Sequence, residues 1–171
     1  MKSHIYIYCD SSTIGDKSQI SSIYYRNKKS FKMHIEIIDE SNNNYGELIN
    51  IIKNIEIILS LDNNLKKNYE IIIYNDSMYA IDTMNEFLSY VKKMRGIPSL
   101  YKYYLENGYA LYEKNRRYYS FTKAVKRFKK IKVNDKNVVL SLMQIMNTNK
   151  ITFKWINREK NEKADKLSKM K

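Results

Sequence analysis

The sequence is poor in the residues that build several common kinds of site. It has one cysteine, one proline, four glycines, one tryptophan and two histidines in 171 residues. A lone Cys9 rules out an intramolecular disulfide framework, and its position inside a strand-like run favours a reducing compartment over secretion. With only Cys9, His4 and His34 available, a zinc centre is not expected. No apolar run approaches membrane-spanning length, and Met1-Lys2-Ser3-His4-Ile5 runs into Asp10 too early for a signal-peptide core. The expectation is a soluble, intracellular, monomeric protein of the cytoplasm or nucleus that does not engage a membrane. The length suits one domain, residues 1–171, with a substantial core.

Acidic residues are also in short supply, 18 against 31 Lys and Arg, giving a net charge of +13. Such a balance favours a polyanionic partner, nucleic acid ahead of an acidic membrane surface. Excess Ile, Asn, Lys and Tyr with little Gly and Pro is also what AT-rich codon usage produces, but codon bias would spread the lysines evenly. They are not even: residues 92–136 hold fourteen Lys and Arg against three acids, so +11 of the +13 lies in about a quarter of the chain.

What is present is organised around Ile71-Ile72-Ile73-Tyr74-Asn75-Asp76-Ser77. Such a continuous β-branched run reads as a strand buried on both faces. It ends in a carboxylate, where sites are built in open α/β sheets, and Ser77 can cap a helix from Met78 to about Val91. Taken alone, Asp76 reads equally as part of that cap. Upstream, His4–Asp10 reads as a strand stopping at the polar turn Asp10-Ser11-Ser12. Gln19–Tyr25 and Phe31–Ile38 follow as strands joined by the hairpin turn Arg26-Asn27-Lys28-Lys29. Ser41-Asn42-Asn43-Asn44 caps a helix whose apolar face is drawn by Leu48, Ile51, Ile52, Ile55, Ile58 and Leu59. Glu47 falls on that face, where an unpaired charge is costly; a metal ion would justify it, and so would a frayed first turn reaching solvent. A helix near Lys136–Met146, a strand Ile151–Ile156 and a short helix Asn161–Met170 complete the chain.

Asp10, Glu47, Asp76 and Asp165 thus each lie at a strand end or helix start. Oxygen-only carboxylate clusters suit hard divalent cations, and two such ions about 4 Å apart support in-line phosphoryl displacement. Together the segments resemble the type 1 ribonuclease H family: Tyr8-Cys9-Asp10-Ser11-Ser12 for "[YF]-T-D-G-S", Asn43-Asn44-Tyr45-Gly46-Glu47 for "N-N-x-x-E", Asn75-Asp76-Ser77 for "x-D-S", and Asn161-Glu162-Lys163-Ala164-Asp165-Lys166-Leu167 for "N-x-x-A-D-x-L". Four fragments in order, within a β-β-β-α-β-α succession, cover all but residues 92–136.

The resemblance implies an α/β fold: a five-stranded mixed sheet, three antiparallel strands then two parallel, flanked by helices, with a basic helical insertion at about 92–136. It also implies an endoribonuclease that cleaves the RNA strand of RNA/DNA hybrids with two Mg²⁺ ions, for which Mn²⁺ can substitute. Asp10 is expected to bridge the ions, Glu47 and Asp76 to hold one and Asp165 the other. Asn43 and Asn44 are expected at the RNA minor groove, where the 2′-hydroxyl is read, and Ser11 joins the expected nucleic-acid contacts. The insertion, with Arg116, Arg117, Arg127 and Lys130, looks like an enlarged form of the family's basic protrusion on the DNA strand.

Three departures stand out. Ser11 replaces a usual Gly and asks that turn for a less permissive backbone. Met78 replaces a frequent substrate-contacting Gln. Trp155-Ile156-Asn157-Arg158-Glu159-Lys160-Asn161 resembles the variant "V-P-R-E-x-N" in place of the Gly-His loop, which makes Arg158 a candidate phosphate contact. Trp155 itself reads as core. Two other readings stay open: a same-fold nuclease acting on branched or structured nucleic acid, and an inactive hybrid- or duplex-binding module.

Overall fold

A computed structural model describes residues 3–61, 69–95, 112–114, 117–119, 122–147 and 149–170. The first three strands, β1 (Ser3–Ile14), β2 (Lys17–Arg26) and β3 (Lys29–Ile38), form an antiparallel meander. Asn27 and Lys28 both have positive φ, 51° and 64°. That is the type I′ geometry whose twist matches the flanking strands, and Asn tolerates it better than Lys.

Helix α1 (Asn43–Ser60) begins at Asn42, whose side chain accepts from the Tyr45 N–H as the N-cap. Strand β4 (Tyr69–Asn75) then enters beside β1 in parallel, and helix α2 (Met78–Arg95) starts with the Ser77 hydroxyl accepting from Ala80 N–H at 3.2 Å. Next come the short antiparallel pair β5 (Tyr112–Lys114) and β6 (Arg117–Tyr119), helices α3 (Thr122–Lys130) and α4 (Asp135–Met146), strand β7 (Lys150–Trp155), a 3₁₀ turn Arg158–Asn161 and helix α5 (Glu162–Ser168). The main sheet runs β3-β2-β1-β4-β7, with β4 parallel to both β1 and β7. This is the expected five-stranded mixed sheet. Among the described residues no helix is long and apolar enough to cross a membrane.

Central β4 is buried on both faces at Ile71, Ile72 and Ile73, as its unbroken apolar run requires. Along β1 the alternation sends Ile5, Ile7 and Cys9 under the helices and His4, Tyr6 and Tyr8 to the opposite face. The helix-covered face joins α1, α2, α3 and α4 in one core, where Phe87 and Phe128 meet edge to face at 4.2 Å.

The segment expected as a helical insertion is only partly helical. It includes the β5–β6 ladder, and α3 is strongly two-sided: Ala124, Val125 and Phe128 are buried in the common core while Lys123, Lys126, Lys129 and Lys130 are exposed. Arg116, Tyr101, Tyr103 and Tyr104 lie outside the described residues.

A polar bolt fixes α1 to the sheet. Asn50, fully buried, donates to the carbonyls of Asp10 at 2.7 Å and Ser21 at 2.9 Å. One turn on, Asn54 donates to Ser22 Oγ and to the Asn50 carbonyl, both at 2.8 Å, and accepts from the Tyr24 hydroxyl. These asparagines interrupt an apolar stripe, and burial is tolerated because the network satisfies them. Asn50→Ala leaves two buried carbonyls short of a donor, each worth about 1–3 kcal/mol. The variant is expected to lower the denaturant midpoint at an unchanged m-value, and an unaltered midpoint would show that the bolt contributes nothing.

Candidate active site

The site arises where β1 outlasts β4. Their parallel pairing stops at Tyr8↔Tyr74, but β1 continues against β2 as far as Ile14. Asp10 is therefore inside a strand, paired with Ser21, and not at a strand end as the polar run Asp10-Ser11-Ser12 suggests. Polar residues persist in strand geometry here because β2 supplies a complete antiparallel ladder. Ser11 likewise needs no permissive backbone: among the described residues positive φ occurs only at Gly15, Asn27, Lys28 and Lys132.

Beyond Tyr8 the Ser11 N–H, free of β4, donates to Glu47 Oε1 at 3.0 Å. Asn75 Nδ2 donates to Glu47 Oε2 at 2.7 Å and to the Cys9 carbonyl at 3.1 Å. Glu47, 2% exposed, is thus held by both oxygens on the inner face of α1. The helix approaches this closely because residue 46 is glycine: a Cβ there would come within 2.5 Å of Ser11 Oγ. That hydroxyl is buried with no hydrogen-bond partner, turned toward Gly46.

Asp76 follows β4 directly. Asn75 Oδ1 accepts from Ser77 N–H at 2.8 Å and the Trp155 indole donates to the Asp76 carbonyl at 2.9 Å, fixing the turn from both sides. Trp155 is 50% exposed and not core: it ends β7 level with Asn75, where the sheet has run out of covering helix.

One carboxylate oxygen from each of Asp10, Glu47 and Asp76 lies within 4.8 Å of the others. Burial, foremost, raises the pKa of all three acids: Asp10 to about 6, Glu47 well above the usual carboxyl range, Asp76 upward. Repulsion from Asp76 adds to Asp10, from Asp10 and Asp76 to Glu47, and from Asp165 to Asp76, where Arg158 and Lys169 partly offset it. Asp165 behaves oppositely. Lys169 Nζ sits 2.7 Å from both of its oxygens and Arg158 at 3.0 Å, so its acidity is strengthened, the Lys169 bond being the largest cause. It stands outside the tight trio but is linked to it through Ser168, whose hydroxyl lies 2.7 Å from Asp10 Oδ2 and 2.8 Å from the Asp165 carbonyl.

The other expected residues are dispersed. Asn43 and Asn44 are exposed at the start of α1, one turn before Glu47, with Asn43 Oδ1 accepting from Thr13. Arg158, though paired with Asp165, keeps 69% of its side chain exposed. Arg127 is turned inward, bonded to Thr83 Oγ1 at 2.7 Å, 3.7 Å from Glu86 and 5.0 Å above the Tyr79 ring. Residues not anticipated from sequence are Asn75, Asn161, Ser168 and Lys169. Asn161 donates to the Cys9 carbonyl at 2.9 Å, doubling the hold of Asn75 beside Asp10. Ser168 and Lys169 sit three and four residues after Asp165, a helical spacing that could have marked them.

An oxygen-only trio of this span could hold a hard divalent cation. Among the described residues no lysine or arginine forms a direct ion pair with Asp10, Glu47 or Asp76. Arg158 acts on Asp10 and Asp76, and Lys169 on Asp76, only from a distance, and all three acids remain raised.

The molecule is thus an α/β protein with a five-stranded mixed sheet and three carboxylates gathered where β1 leaves β4. The chain matches the RNase H family model over residues 2–171 and belongs to that family. Its class is therefore that of an endoribonuclease, a hydrolase of phosphodiester bonds. No curated protein sequence matches it. Among solved structures it is similar to the N-terminal RNase H domain of rv2228c from Mycobacterium tuberculosis, at 13% identity and TM-score 0.56, with 97% of this chain and 91% of that one covered. RNase H1 from the halophilic archaeon Halobacterium salinarum is similar at 12% identity and TM-score 0.56, covering 96% and 94%. LC11-RNase H1, isolated from compost and solved with an RNA/DNA hybrid, is similar at 18% identity and TM-score 0.54, covering 95% and 92%. At such identities these likenesses carry the fold.

The raised pKa values fix the direction of the pH dependence. Between about pH 4 and pH 6 the folded state keeps protons on Asp10 that the unfolded chain has lost, so stability falls as pH rises through that window. In EDTA the melting temperature is expected to drop from pH 4 toward pH 7, and Mg²⁺ to restore it most at the upper end. The double variant Asp10→Asn, Asp76→Asn should lose the Mg²⁺ response; the same metal-induced shift as wild type would place the ion elsewhere.

Proposed function

We propose that this chain cleaves the RNA strand of RNA/DNA hybrids by metal-dependent phosphodiester hydrolysis, with Asp10, Glu47, Asp76 and Asp165 as the ligands of two Mg²⁺ ions. The observation that carries the reading is the convergence of Asp10, Glu47 and Asp76 on one 4.8 Å patch from three distant points of the chain. Carboxylates raised by burial and repulsion are a cost to folding unless a cation is their customary partner. When bound, the ions supply a water of lowered pKa and stabilise the charge that develops on the leaving oxygen.

The chain's own residues do the rest. Glu47, its carboxylate fixed by Ser11 and Asn75, and Asp76, its main chain fixed by Trp155, offer oxygens on one side. Asp10, linked toward Asp165 by the Ser168 hydroxyl at its Oδ2, would hold the metal together with Glu47 and Asp76. Arg158 and Lys169 keep Asp165 ionised and give that side a positive border for the substrate phosphate. Asn43 and Asn44 reach the minor groove and distinguish RNA by its 2′-hydroxyl, which fits the RNA/DNA hybrid seen with LC11-RNase H1. The exposed lysines of α3, with Arg116 and Arg117, grip the DNA strand. Arg127 supports them from inside by holding α3 to α2.

The test is cleavage of labelled RNA/DNA hybrid, double-stranded RNA, double-stranded DNA and a four-way junction, in Mg²⁺ and in EDTA. Cleavage restricted to the hybrid and abolished by EDTA is expected. Preference for the junction would favour a structure-selective nuclease, and no cleavage of any duplex an inactive binding module. Asp10→Asn should reduce hybrid cleavage to background while leaving hybrid affinity in place, because the phosphate contacts remain.

The basic segment gives a separable prediction. Lys130→Ala should flatten the salt dependence of hybrid binding by about one log unit and leave the melting temperature unchanged. Arg127→Ala should lower the melting temperature as well, since it breaks a partly buried contact to Thr83 and Glu86. Equal salt slopes in wild type and Lys130→Ala would remove Lys130 from the phosphate contacts.

A further inference from the structure

The face of the sheet turned away from the core carries a feature that hydrolysis does not use. Along β1, β2 and β4 the outward positions include five rings, His4, Tyr6, Tyr8, Tyr25 and Tyr74, all half-buried, beside the buried Ile23 and Ile72. Their rings form a continuous ladder. His4 stacks on Tyr6 at 5.7 Å, Tyr6 on Tyr74 at 6.4 Å and Tyr74 on Tyr8 at 4.9 Å, and Tyr8 meets Tyr25 edge to face at 5.7 Å. Between this ladder and the turn leading into α5 lies a cleft of about 460 Å³, lined by Tyr6, Tyr8 and Tyr25 and by Lys28, Lys160 and Lys163. Lys163 Nζ stands 5.7 Å over the Tyr25 ring, a cation held on an aromatic face.

Two acids share the lining, Glu159 and Glu162, and Glu162 is neutralised by Lys166. The cleft is therefore net positive. Its volume lies within the roughly 300–1,000 Å³ of ordinary ligand sites. It also lies near the carboxylates in the chain: Tyr8 precedes Asp10 by two strand residues, about 7 Å, and Ala164, in the cleft lining, immediately precedes Asp165.

Aromatic rings on an open sheet with a lysine border are the general means of holding unpaired nucleotides, bases stacking on rings and phosphates meeting cations. A protein partner would be better served by aliphatic residues here than by tyrosine rings with polar tips and three lysines. We propose that this cleft binds a single strand continuing from the hybrid, with bases on Tyr6, Tyr8 and Tyr25 and phosphates on Lys28, Lys160 and Lys163. The proposal rests on the hybrid-cleaving reading above and adds a second contact for substrates with an unpaired tail.

The experiment uses the full chain in EDTA with 4-thiothymidine- and 4-thiouridine-substituted 12-mers, photocrosslinked and mapped by mass spectrometry. Crosslinks to Tyr6, Tyr8 or Tyr25 are expected, with the two sugars as separate arms that tell DNA from RNA. The double variant Lys28→Glu, Lys163→Glu should weaken 12-mer binding at least tenfold and reduce its salt slope by roughly 1.4, the loss of two single-strand phosphate contacts. Tyr25→Leu, which keeps an apolar side chain but removes the ring, should weaken binding without changing the salt slope. In Mg²⁺ the wild type should show a lower KM for a tailed hybrid than for a blunt one. The charge variant should abolish that difference at unchanged kcat on the blunt hybrid. Crosslinks confined to other residues, absent 12-mer binding, or equal affinity in the charge variant would overturn the proposal. So would a wild-type dimer in sedimentation that the same variant dissociates, because the face would then belong to a second copy. Failure to cleave any hybrid, with crosslinks still on the tyrosines, would overturn the hybrid-cleaving reading and leave the cleft as a single-strand site.

Discussion

The anchoring of Glu47 is the interaction on which the site depends. Both of its oxygens are occupied, one by the Ser11 N–H and one by the Asn75 amide, and these donors come from β1 and from the end of β4. One carboxylate thus joins α1 to the two central strands at the point where they part. Asn50 and Asn54 repeat the attachment one and two turns further along the helix, against the Asp10 and Ser21 carbonyls and the Ser22–Tyr24 pair. The sheet opening is held to a fixed width by polar contacts, and Gly46 lets the helix come close enough for them to form. A purely apolar interface would fill the space but would not set the position of a charge.

Against this frame the four acids divide into two kinds. Asp10, Glu47 and Asp76 are crowded and desolvated, and their proton affinity rises. Asp165 is relieved by Lys169 and Arg158 and remains a stronger acid. The division makes one side of the site in need of positive charge and the other already supplied with it. Ser168 spans the two sides through a single hydroxyl proton that has two acceptors in reach.

The rest of the surface follows from charge placement. Helix α3 buries Ala124, Val125 and Phe128 and turns its lysines outward, so the most basic part of the chain is joined to the core and is not a loose appendage. Arg127 marks the boundary: its guanidinium is used up on Thr83, Glu86 and Tyr79. On the opposite face the tyrosine ladder lies open except where α5 and its preceding turn cover it, bringing lysines to aromatic rings close behind the carboxylates.

The sequence by itself determined the elements and singled out the three acids that the structure gathers within 4.8 Å. Period-two alternation in β1, the unbroken Ile71–Ile73 run, the Asn42 and Ser77 caps and the apolar stripe of α1 are local signals written in side-chain type. Four acids in the family's order then named the site. Only the tertiary structure decided where the strands part. Asp10 reads as a strand end because polar residues follow it, yet β2 carries the strand on to Ile14, since ladder partners and not composition fix a strand's length. Trp155 reads as core because it closes an apolar run, yet it lies beyond the last covering helix. The separation of Asp165 from the trio, the inward turn of Arg127 and the gathering of Tyr8, Tyr25, Tyr74 and Lys163 are contacts between residues far apart in the chain. No local pattern encodes them, because burial and charge environment are set by what packs across the gap.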